Sequence, residues 1–60
     1  MQNAKQHMHT HSVGTYPQMI AFRLVRELEH AGIRTQLVGA AESYDIRVSE
    51  ADYERAIGRI

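Results

Sequence analysis

His7-Met8-His9-Thr10-His11 sets three imidazoles at alternate positions near the start of the chain. In an extended segment alternate side chains share one side, so His7, His9 and His11 could converge on a single ion. Such donors suit Zn²⁺, Cu²⁺ or Ni²⁺, and the Met8 thioether adds a soft ligand for Cu⁺. A built site also needs acceptors that fix each ring, and this segment carries no acid. The competing reading is a solvated tail whose histidines take up metal only adventitiously. His30 falls on the wet side of a helix and reads as an ordinary surface residue.

Other reactive constellations are hard to find. The chain has no cysteine, which removes disulfides, zinc ribbons and thiol nucleophiles. Ser12, Ser43 and Ser49 lack a neighbouring histidine–acid pair, and the acids sit at helix starts and on helix exteriors. There is no glycine-rich phosphate loop. A domain this small also has difficulty enclosing a ligand pocket of the usual ~300 Å³ or more. The sequence reads as a protein without catalytic activity and without a resident cofactor.

Composition narrows the class further. Sixty residues with 43% hydrophobic and 23% charged side chains describe one small domain. A chain of this length hides only about 60% of its unfolded surface, so its stability margin is thin. Seven basic residues balance seven acidic ones, which leaves no net field to attract nucleic acid or anionic lipid. No apolar run approaches the ~20 residues that cross a bilayer, and no signal-peptide core is present. The expectation is a cytoplasmic protein with no nucleic-acid partner and no direct membrane insertion.

The elements follow from hydrophobic spacing. Residues 1–11 read as a flexible, histidine-containing tail and 12–60 as a single domain. Thr15-Tyr16-Pro17-Gln18 has the form of a capping box, with Pro17 in the first helical turn. Ile20, Ala21, Leu24, Val25, Leu28 and Ala31 then share one side of a helix, with Arg23 and Glu27 as an i,i+4 pair on the other. Gly32 supplies the left-handed residue that ends it, and Ile33 folds back on the last turn.

Two alternating runs come next. Ile33 to Val38 and Tyr44 to Val48 predict strands, and Gly39 to Ser43 predicts the turn of a hairpin. Ser49 caps a second helix with a core stripe of Tyr53, Ala56, Ile57 and Ile60. Two helices over a two-stranded ribbon are marginal, so a further strand is expected within Met8 to Thr15. Because Val13 shares parity with the histidines, either that strand starts near His11 or a bulge frees their rings. The result is an α+β fold: a two-layer β-α-β-β-α sandwich with strand order 1-3-2 and both helices on one face.

Two stretches carry a resemblance. Ala21 to Ile33, ending Leu28-Glu29-His30-Ala31-Gly32-Ile33, is similar to the first helix of a family of small bacterial signal-transducing proteins of unknown function. Ile46 to Ala56 resembles that family's closing strand and the start of its last helix. The cytoplasmic N-terminal domain of rhomboid proteases is similar in pattern, with a proline opening its first helix. The family's longer loop between its second and third strands is absent, since Gly39 to Ser43 is short. The resemblance implies a regulatory or accessory module in signal transduction, with no established reaction.

Candidate partner-binding residues remain. Met19, Phe22 and Arg26 are spaced i, i+3, i+7 on the side of the first helix away from its apolar stripe, a combination enriched at interface hot spots. Isolated exposed apolar residues are ordinary, which is the alternative. Arg34, Gln36, Asp45 and Arg47 are expected on the open face of the sheet, which reads as a solvated face with a cross-strand ion pair or as a dimer surface in which Arg34 and Arg47 bind the partner. Tyr44 points inward, so that face lacks the aromatics that stack RNA bases. Both edge strands look open to pairing with another chain. The sequence therefore favours a small regulatory or protein-interaction module that self-associates or docks on a larger protein; the alternative is a metal-binding or metal-sensing protein using His7, His9 and His11.

Overall fold

The computed structural model describes residues 11–60. In chain order the elements are β1 (His11–Pro17), α1 (Gln18–His30), β2 (Gln36–Ala40), β3 (Ser43–Val48) and α2 (Tyr53–Arg59), the last preceded by a 3-10 turn over Glu50–Asp52. The strands form one antiparallel sheet in the order β1-β3-β2. Both helices cover the same face, giving the two-layer sandwich that the spacing predicts.

β3 occupies the centre because it is the strand with two apolar anchors on the covered face. Ile46 and Val48 are fully buried, and they meet Ala21 and Leu28 of α1, Ile33, and Ala56 of α2. Leu37 of β2 stands opposite Ile46 and adds to the rim of this core. The opposite parity, with Asp45 and Arg47 on β3, faces away from the helices.

Several boundaries differ from the sequence reading. Thr15 does not cap α1, because it lies inside β1 opposite Asp45. The strand continues to Pro17, which pairs with Ser43, and the helix follows with no side-chain cap. Proline is tolerated there because β1 is an edge strand. β1 also takes in His11, which the sequence reading assigns to the tail; His11 pairs with Val48. A register shift between Ser12 and Gly14 makes Val13 the extra residue of a bulge, so Val13 is buried although His11 stays on the ladder.

The end of α1 follows the expected motif closely. Gly32 has φ 82°, its N–H donates to Glu29 at 2.9 Å, and the Ile33 N–H donates to Leu28 at 2.9 Å. These are the two bonds of a Schellman cap, closed by burial of both Ile33 and Leu28. The chain straightens into β2 only at Gln36, so Arg34 precedes the strand instead of lying within it. Gly39 and Ala40 belong to β2, and the turn shrinks to Ala41-Glu42.

Two predicted stripes are only partly buried. Ala21 and Leu28 are sealed, and Leu24, Val25 and Ala31 pack against the core, but Ile20 in the first turn remains exposed. On α2, Ala56 is sealed and Tyr53 packs on the core, while Ile57 and Ile60 stay nearly half exposed. α2 touches β1 and α1 along a narrow contact, where the small Ala56 allows close approach. Ser49 also departs from expectation: its hydroxyl donates to the Asp52 carboxylate at 3.3 Å and caps no amide.

Candidate functional site

The leading half of α1 concentrates the exposed apolar surface. Met19 is 79% exposed, Phe22 47% and Ile20 46%. Gln18 starts the helix directly after Pro17, so these residues occupy its first two turns. Phe22 is not on the far side of the helix as its spacing suggests. Its ring sits 5.6 Å from that of Tyr44, tilted by 34°. Tyr44 belongs to β3, so its ring ties Phe22 to the sheet while nearly half of the phenylalanine stays exposed. A held aromatic ring loses less rotamer freedom on binding than a loose one, which suits it as an anchor. Arg26, one turn further, is exposed.

The other two arginines are not brought to that surface. Arg47 lies on the open sheet face, where its Nε donates to the Asp45 carboxylate at 3.0 Å. This ion pair runs along one strand between residues two apart, which share a face by the period of the pleat. It replaces the cross-strand pair expected from sequence. Asp45 also accepts a hydrogen bond from the Ser12 hydroxyl of β1. Arg34 is exposed beside the end of α1, where it borders a shallow concavity of about 560 Å³ with Glu29, Gly32, Ile33 and Thr35. Among the described residues the expected Arg23–Glu27 pair does not form; the ion pairs are Arg47–Asp45 and Arg55–Asp52.

His11 sits at the rim of the sheet, its ring 5.3 Å from that of Tyr53 on α2. The two residues border a second concavity of about 480 Å³ with Glu50, Ala51 and Glu54. Both hollows exceed the ~300 Å³ typical of ligand pockets, but they are open troughs and do not enclose a ligand. His7 and His9 lie outside the described residues, and with them the proposed three-histidine metal site. Among the described residues no cluster of three or more His, Asp or Glu side chains is poised to hold a metal. No described helix is long and apolar enough to cross a membrane.

No family model, curated protein or solved structure matches the chain.

Proposed function

We propose that the protein is a small regulatory or protein-interaction module with no reaction of its own, acting in the cytoplasm by self-association or by docking on a larger protein. The observation that carries this reading is the exposure of Met19, Ile20 and Phe22 together at the start of α1. A domain with so small a core does not leave Met19 largely exposed and Ile20 and Phe22 nearly half exposed on one helix end without forfeiting part of the burial they could gain. Met19 and Phe22 are one turn apart on the helix, and neighbouring exposed apolar side chains of this kind are suited to contact with another molecule. The resemblance of residues 21–33 and 46–56 to the small signal-transducing proteins points the same way.

Phe22→Glu tests the reading. Capture from the native host by cross-linking is expected to recover a partner or a second copy with the parent chain. The variant is expected to lose it while keeping its circular dichroism, with a thermal midpoint lowered only by the lost ring contact with Tyr44. A parent chain that stays monomeric and captures nothing would refute the proposal.

A further inference from the structure

The two edges of the sheet are not equivalent. On β1, Pro17 lacks an N–H, and the bulge at Val13 breaks the ladder. The carbonyl of Val13 accepts from the Tyr16 hydroxyl at 3.2 Å, and the N–H of Gly14 donates to the Ser12 hydroxyl at 3.1 Å. Polar backbone groups around the bulge are thus answered within the chain. On β2 none of these devices exists. Gln36-Leu37-Val38-Gly39-Ala40 contains no charge, no proline and no bulge, and it pairs with β3 in unbroken register. Alternate residues of such a strand turn their N–H and C=O outward, which is a template for another strand.

We infer that β2 pairs antiparallel with β2 of a second copy of this chain, joining two three-stranded sheets across a two-fold axis at Val38. This rests on the reading of the chain as an interaction module but uses a different surface from the α1 end.

The occupant follows from what the register sets side by side. Centring the pair on Val38 places Val38 against Val38 of the second copy on the open face, covering a side chain that is 42% exposed. Leu37 falls opposite Gly39, so a large side chain meets a position with none. Gln36 falls opposite Ala40. Arg34 and Glu42 flank the two ends of the strand, so the antiparallel pairing sets the arginine of one copy at the same end as the glutamate of the other, and symmetry repeats this at the opposite end. Both residues are exposed and lie outside the ion pairs found among the described residues. The strand is therefore complementary to itself in shape and in charge, and like charges are nowhere opposed.

Sedimentation of the full chain over a wide concentration range tests this. A reversible dimer is expected. Val38→Lys sets two ammonium groups face to face at the axis and should weaken the dimer about tenfold or more with the fold retained. Arg34→Glu, a surface change, should also weaken it, and adding Glu42→Arg should restore it. A chain monomeric at every concentration, or a dimer indifferent to Val38→Lys, would overturn the inference. A dimer lost on Phe22→Glu but kept in Val38→Lys would also overturn edge pairing, yet leave the interaction reading standing.

Discussion

The hydroxyl of Tyr16 donates to the carbonyl of Val13, three residues back in the same strand, at 3.2 Å. The ring curls over the bulge and passes where a side chain on Gly14 would stand: a Cβ there would lie 2.6 Å from the hydroxyl and 2.8 Å from ring carbons. Gly14 also has φ 138°, a conformation other residues seldom adopt. Bulge, glycine and tyrosine therefore act together. Between them they let Val13 enter the core while His11 keeps its place opposite Val48.

Gly14→Ala is accordingly expected to cost about 1–3 kcal/mol, chiefly from forcing an L side chain into that backbone conformation. The Tyr16 ring can swing aside, which loses its hydrogen bond as well. Tyr16→Phe alone should cost only about 0.5–1.5 kcal/mol. Urea unfolding of both single variants and of the double variant gives the comparison. Because the two sites share one contact, the double change should cost less than the sum. A neutral Gly14→Ala would mean that the bulge relaxes freely.

Leu28→Ala and Ile57→Ala should separate sharply, although both residues fall on apolar helical stripes. Leu28 is fully buried among Ile33, Ile46 and the small residues of the core, and its truncation should cost about 2–5 kcal/mol. That is a large part of the whole stability of a domain this size, so the thermal midpoint of the variant should fall steeply. Ile57 is 45% exposed and should cost well under half as much. Thermal unfolding followed by circular dichroism measures both, and comparable losses would show that Ile57 is packed more deeply than its 45% exposure implies.

The contrast shows which features could be read from the residues alone. The strand order, the placement of both helices on one face and the Gly32 cap were legible because each rests on local chemistry or on one clean period, as in Tyr44-Asp45-Ile46-Arg47-Val48. Spacing shows which residues of a helix share a side, but not how much of that side finds a neighbour. Ile20, Ile57 and Ile60 lie on the correct stripes and remain exposed because the sheet beneath is narrow. Thr15 satisfies a capping pattern, yet the ladder with Asp45 claims it first. At the candidate site, the exposure of Met19 and Arg26 follows from helical phase. The ring contact of Phe22 with Tyr44 is tertiary and left no local signal. The difference between the edges was hidden for the same reason, since the bulge at Val13 appears only once β1 is laid against β3.

The turn between β2 and β3 offers a change that should strengthen the fold. Ala41 has φ 55°, in the left-handed region where an alanine Cβ crowds its own carbonyl at a cost of about 1–2 kcal/mol. Ala41→Gly removes that cost, while the greater freedom of glycine in the unfolded chain returns about 0.4–1 kcal/mol of it. The net expectation is a gain of about 0.5–1 kcal/mol, seen as a higher urea midpoint with an unchanged slope. Ala41→Val should move the midpoint the other way, because a β-branched side chain fits this conformation worst. The turn holds Ala40 against Ser43 and so sets the register of the hairpin. If edge pairing through β2 is correct, the glycine variant should therefore leave the dimer affinity unchanged while stabilising each subunit. A fall in stability on Ala41→Gly would mean that the turn is held by contacts of the alanine methyl, not strained by it.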